Sequence, residues 1–130
     1  MNKIKLFLVI GALASMCIIS VDAQNITGIW ITEKSESKVE IFERNGEYSG
    51  KIIWIKVPTE KDQKNVGTVI LKNFIRKDDK TCEGMIFAPH LNKNLKGTIT
   101  VKSENEIEVR GHFAFFSGKQ FWIREIKNKD

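Results

Sequence analysis

The residues that could do chemistry in this chain are few and scattered. Asp62 and Asn65 stand close together in a polar stretch, residues 58–67, that separates two apolar runs. Binding groups often sit on loops carried by a rigid scaffold, so this pair could hydrogen-bond a ligand. The same pair could instead form an Asx-turn that orders the loop. A lone carboxylate makes a poor calcium site, because calcium takes about 6–8 oxygen ligands. His90 and His112 are the two imidazoles. Neither has a partner at metal-ligand spacing, so no metal site is expected. Ser117 has no Gly-x-Ser-x-Gly elbow around it. Glu104, Glu106 and Glu108 alternate through a turn and along the solvent side of a strand. There is no phosphate-cradling glycine loop and no dinucleotide fingerprint. The chain is therefore read as a non-enzyme with no cofactor.

The elements that must position these residues are strands. Hydrophobicity alternates with period two along most of the chain. Residues 28–34 and 38–44 form the first two predicted strands. Asn45-Gly46 then supplies the positive φ angles of a tight hairpin, and 47–57 forms the third strand. Residues 58–67 are the longest loop. Val69, Ile70, Leu71, Phe74 and Ile75 make 68–76 apolar, but their spacing fits a strand and a short helical turn equally. Residues 81–87 form a further strand, ended by Pro89. Leu95, Gly97, Ile99 and Val101 then share one face, and Ile107, Val109, Gly111 and Phe113 share the matching face of the next strand. Residues 119–127 form the last. About eight short strands with local connections predict an all-β fold, a small antiparallel barrel or sandwich. Closure is favoured because it leaves no row of unpaired backbone groups.

The first 23 residues read as an export leader rather than part of the fold. Lys3 and Lys5 precede an apolar run at 6–19, and Val21 and Ala23 suit a cleavage site before Gln24. The domain is then 24–130, and the expected location is periplasmic or extracellular. Cys17 offers a lipid-anchored alternative, although Met16 occupies the position before it that favours a small residue. No later run approaches the roughly 20 apolar residues of a membrane span. The formal net charge is +5. Lysines are dispersed without a block of like charge, so no nucleic-acid partner is expected. Without the leader Cys82 is the one cysteine, either buried and inert or paired between chains.

Two constellations remain. Trp30 lies near the start of the folded chain and Arg124 on its last strand, beside Trp122. If the first and last strands pair, the guanidinium can stack on the indole and seal one end of the barrel. Gly28 leaves room beside Trp30. Trp30 could otherwise be simple core and Arg124 simple surface. On the third strand Tyr48, Gly50, Ile52 and Trp54 share a face, so Tyr48 and Trp54 could line an aromatic pocket or fill ordinary core.

Gly28-x-Trp30 with an arginine on the final strand resembles the signature of lipocalin-like (calycin) barrels. More closely, the chain resembles a family of small exported bacterial proteins known as a domain of unknown function with such a barrel. The pattern runs through Tyr48-Ser49-Gly50-Lys51-Ile52, Asp62-x-x-Asn65, Glu83-Gly84, Pro89, Val109-Arg110-Gly111 and Trp122-x-Arg124. Ala88, Asn92, Leu95 and Cys82 depart from it. The resemblance implies a lipocalin-like barrel and adds Arg110 to the candidate ligand-binding set of Asp62, Asn65, Tyr48 and Trp54. It implies no activity. Three functions compete. A barrel binding a small apolar or amphipathic ligand requires a cavity. An envelope-associated interaction module requires a filled barrel and an exposed patch near Phe115 and Phe116. A hydrolase requires paired titratable groups in a cleft.

Overall fold

The computed structural model describes residues 25–57, 59–112 and 117–126. The leader, and the aromatic segment with Phe113, Phe115 and Phe116, lie outside the described residues. Eight strands follow one another: β1 (Gly28–Ile31), β2 (Ser37–Arg44), β3 (Glu47–Ile55), β4 (Val69–Arg76), β5 (Thr81–Ala88), β6 (Lys93–Ser103), β7 (Glu106–His112) and β8 (Ser117–Arg124). Each pairs antiparallel with the next, and β8 returns to β1, so the sheet is a closed barrel in chain order. One short helix, α1 (Glu60–Gln63), interrupts the long loop.

Hairpin chemistry sets the local register. Asn45 and Gly46 both have positive φ, at 56° and 82°, which matches the right-handed twist of the flanking strands. Arg44 then faces Glu47 directly across the turn. The β6–β7 hairpin keeps the expected parity: Gly97 faces Gly111, Ile99 faces Val109 and Val101 faces Ile107.

Register shifts break that parity elsewhere, and two of them re-aim side chains. On β3 the register slips where Val39 faces Ile52 but Lys38 faces Trp54, leaving Ile53 as the extra residue. One inserted residue exchanges the two faces of a strand. Ile52 stays buried while Trp54 turns outward and is 42% exposed. On β4 Asn73 adopts φ 55°, a left-handed conformation that asparagine tolerates, and the ladder is irregular between Lys72 and Ile75. Leu71 and Phe74, three positions apart, therefore both reach the core. Residues 69–76 are thus a bulged strand, and the bulge produces the spacing that left strand and helix undecided.

Alternating strand direction sends the connections to two ends. At one end Trp30 faces Arg124 across the β1–β8 seam. The guanidinium carbon sits 4.4 Å from the centroid of the indole. Three successive carbonyls of the entering chain are taken up there. Arg124 Nη2 donates to Asn25 O at 2.9 Å and Nη1 to Thr27 O at 2.6 Å. Trp30 Nε1 donates to Ile26 O between them at 2.9 Å. Arg124 Nε reaches Glu104 O in the β6–β7 turn at 3.1 Å. Ile26 is thereby buried under the seam. Gly28 has φ 132°, and a Cβ there would lie 2.7 Å from Arg124 Nη1, so the guanidinium occupies the space the glycine vacates. Ile29 and Ile31 point outward and are half-buried, Ile31 lying across from Ile123.

Replacing Arg124 with lysine keeps the charge but loses the planar fork that reaches several carbonyls at once. Hydrogen bonds to charged groups contribute about 1.5–3 kcal/mol each. Arg124→Lys is expected to cost about 2–4 kcal/mol, read as a lowered urea midpoint at unchanged m-value.

Candidate ligand cavity at the open end of the barrel

The barrel is filled on one side and open on the other, and a row of glycines makes the difference. Gly84 faces Gly97, Gly97 faces Gly111, and Gly111 faces Gly118 across four consecutive strands. A Cβ at Gly84 would lie 2.7 Å from the Phe74 ring, and one at Gly97 2.5 Å from Ile86. Phe74 and Ile86 thus pack into the groove these two glycines leave. At Gly111 the nearest atom to such a Cβ is 3.6 Å away, on Leu95, and at Gly118 nothing lies within 4 Å. Going around the wall, the glycine row passes from packed core into open space.

That space is a cavity of about 630 Å³ opening between the β1–β2 connection, the 56–68 loop and the β5–β6 turn. Ile52, Ile70, Ile86, Leu95, Val109 and Trp122 supply its apolar wall. Ile55, carried inward by the β3 bulge, joins them. Polar groups collect higher up. Thr32 is buried, and its Oγ1 bonds the backbone and hydroxyl of Ser37, at 3.1 Å to O and 2.9 Å to Oγ. Glu33, Glu36 and His90 stand at the mouth. Gln120 lines the β8 side, its Oε1 accepting from the Trp122 indole at 2.9 Å.

Asp62 and Asn65 both line this cavity, and both also order the loop. Thr59 caps α1, its Oγ1 accepting from Asp62 N at 3.1 Å and donating to Asp62 Oδ2 at 2.9 Å. Asn65 N donates to Asp62 O at 2.9 Å. The capping arrangement fixes where the carboxylate stands at the lip. The pair thus lines the cavity, while the loop is ordered by the Thr59 cap and backbone bonds rather than by an Asx-turn.

The other three candidates do not join them. Tyr48 is buried near the sealed end, where its hydroxyl accepts from Arg76 Nη2 at 3.4 Å. That bond raises the Arg76 pKa above its ordinary value. Trp54 stands on the outer wall with the Lys38 ammonium 5.4 Å from its ring centroid, and Lys38 is also paired with Glu125. Arg110 alternates outward on β7 and bonds Glu108 at 3.3 Å. An aromatic pocket shared by Tyr48 and Trp54 is therefore corrected. The β3 bulge separates them, and strand parity carries Arg110 away from the interior. Trp122, grouped by sequence with the seal, also lines the cavity. Cys82 is buried beside the core, and burial pushes its thiol pKa up. Asp78, on the β4–β5 turn, is held below the usual carboxylate range by the Lys80 backbone N–H at 2.9 Å. Among the described residues no three His, Cys, Asp or Glu gather as a metal site would require.

Sequence reasoning missed Gln120 and Gly118. Both were accessible by counting back in twos from Trp122, since alternate residues of a strand share a face.

A family model described as an uncharacterized protein conserved in bacteria, DUF2147, matches residues 28–124. The chain belongs to the DUF2147 family. The matched span runs from the first residue of β1 to the last of β8, so the family unit is the barrel itself. Among solved structures this DUF2147 chain is similar to protein HP1028 from Helicobacter pylori, which belongs to the lipocalin family. The TM-score is 0.63 at 19% identity, over 78% of this chain and 84% of that one. A redesigned β-barrel is similar with a TM-score of 0.51 at 13% identity, over 82% and 95%. At such identities the likeness is one of fold. No curated protein matches the chain.

The placement of the tryptophans is directly measurable. Trp30 and Trp122 are 0% and 4% exposed, against 42% for Trp54. Acrylamide quenching of the folded protein should therefore arise from Trp54 and disappear in Trp54→Phe. Cys82 should react with a thiol reagent only as fast as the barrel unfolds, because the thiolate is the reacting species and the thiol is buried.

Proposed function

We propose that this protein is exported and holds a small apolar or amphipathic molecule in the open half of its barrel, without catalysing a reaction on it. The observation that carries this reading is the cavity. Its volume of about 630 Å³ lies within the roughly 300–1,000 Å³ of small-molecule sites, and an apolar wall lies beneath polar groups gathered at the mouth. An apolar body would displace water from the wall of Ile52, Ile70, Ile86, Leu95 and Val109. At about 25 cal/mol per Å² of apolar surface removed from water, such contact drives binding without a charged anchor. Lipocalin membership of a protein with the same fold supports the reading by analogy. An interaction module with a filled barrel has less support, because a cavity of about 630 Å³ lies among the described residues. A hydrolase has less again. The groups with displaced pKa values, Arg76, Asp78 and Cys82, belong to the sealed end and the core beside it. Export rests on Lys3, Lys5, the apolar run and Ala23. Among the described residues no helix is long and apolar enough to cross a membrane.

Two measurements check this. N-phenyl-1-naphthylamine should brighten on adding the protein. Gly118→Phe should weaken that binding by about tenfold or more, the equivalent of about 1.4 kcal/mol. Its Cβ meets open space, so the melting temperature should stay close to that of the parent chain. A probe that binds both proteins equally would remove the cavity from the account. For export, N-terminal sequencing of protein secreted by a bacterial host should begin at Gln24. A lipidated chain beginning at Cys17 would replace free secretion with anchoring.

A further inference from the structure

Several polar groups around the cavity are already engaged by neighbours. Thr32 and Ser37 bond each other through hydroxyls and backbone. Asp62 is held by Thr59, and both belong to the lip rather than the interior. Gln120 differs. It sits on β8 between Gly118 and Trp122, on the inward face but exposed at the mouth, with the apolar wall beneath it. Its partner is the Trp122 indole N–H, which can donate but never accept. The amide oxygen must therefore face the indole, at 2.9 Å. Chemistry alone fixes this orientation. The NH2 group is left on the other side of the amide, and no described residue accepts from it. One step nearer the mouth on the same face is Gly118, where a side chain would find nothing within 4 Å. The donors thus stand beside room for a guest.

We propose that Gln120 is the specificity-determining residue of this cavity: its oriented amide N–H groups donate to a carbonyl oxygen of the guest. The preferred guest is then an apolar molecule bearing a hydrogen-bond acceptor part-way along its length. A bare hydrocarbon leaves the amide donors unpaired, and an amine presents donors to donors. This inference rests on the ligand-binding reading above and narrows it to one class. The indole acts through the amide, so Trp122 is a positioning residue.

Matched probes of one shape test it. 1-Acetylnaphthalene carries the acceptor, and 1-ethylnaphthalene replaces it with a methylene. Each is titrated against N-phenyl-1-naphthylamine in the parent chain and in two variants. Gln120→Glu keeps an oxygen for the indole but exchanges the donors for a carboxylate oxygen. Gln120→Met removes both, with circular dichroism reporting the fold. The ratio of the two dissociation constants cancels the general hydrophobic difference between probes. In both variants it should move toward the ethyl compound by about threefold to tenfold, the range of one neutral hydrogen bond. In Gln120→Glu, protonated 1-naphthylmethylamine should bind more tightly than in the parent. A ratio unchanged in both variants, with both probes bound, overturns the role of Gln120 and leaves the ligand-binding reading standing. Failure of every naphthalene to bind the folded parent chain overturns both.

Discussion

An arginine side chain stacked on an indole, and sharing with it three consecutive carbonyls of the incoming chain, is the contact on which this barrel depends. Two consequences follow from its geometry. It joins β1 to β8, the closure that most separates residues in sequence, and it folds residues 25–27 across one end. A closed sheet must end somewhere, and the backbone at that end carries carbonyls with no ladder partner. A guanidinium is suited to gather them because its donors lie in one plane and its charge persists at any ordinary pH. The stacked indole shields that charge on one face while using its own N–H on the middle carbonyl. Gly28 is required because its side chain would occupy the space of the guanidinium.

With one end sealed by packing, the interior has a direction. Phe74 enters the groove of Gly84 and Gly97 and fills the section where β4, β5 and β6 meet. Its reach depends on the Asn73 bulge, which turns Leu71 and Phe74 inward together. Past Gly97 no described side chain of comparable size enters the row, and the wall at Gly111 and Gly118 faces open volume. The same small residue therefore plays opposite parts along one belt. At Gly84 and Gly97 it admits a neighbour's side chain, and at Gly118 it leaves the room unoccupied. A cavity placed this way is a consequence of strand register, since the four glycines align only because their ladders run without a slip between β5 and β8 over that row.

The parts of the fold that obey simple alternation were legible from the sequence, and the parts that break it were not. Asn45-Gly46 announced its hairpin, and the faces of β6 and β7 could be assigned residue by residue as far as Gly111. Trp30 and Arg124 alone left the seal and a simple core-and-surface reading equally open, and the resemblance to calycin barrels favoured the seal. The two bulges could not, because each depends on how a partner strand pairs. Ile53 looks like any other strand isoleucine until Val39 and Lys38 are placed opposite. That single extra residue moved Trp54 from a supposed pocket to the outer wall and brought Ile55 to the cavity. Asp62 and Asn65 were legible because turn residues in a polar loop stand out. Gln120 could be reached only by counting back in twos from Trp122, because one polar residue at an inward position of an otherwise ordinary strand has no motif around it to prompt that count.

The division of labour between the two ends explains why polar residues are tolerated in so small an interior. A buried polar group costs stability unless it is hydrogen-bonded. At the sealed end every donor of the arginine that bears on the seam meets a carbonyl, so polarity there serves closure. At the open end the mouth admits water, which can satisfy Gln120 and the lip residues when nothing else does. Exchanging that water for a guest is favourable only if the guest both covers the apolar wall and returns the lost hydrogen bonds. In the proposed ligand-binding role, the polar groups at the mouth set the selectivity and the apolar wall beneath supplies the affinity.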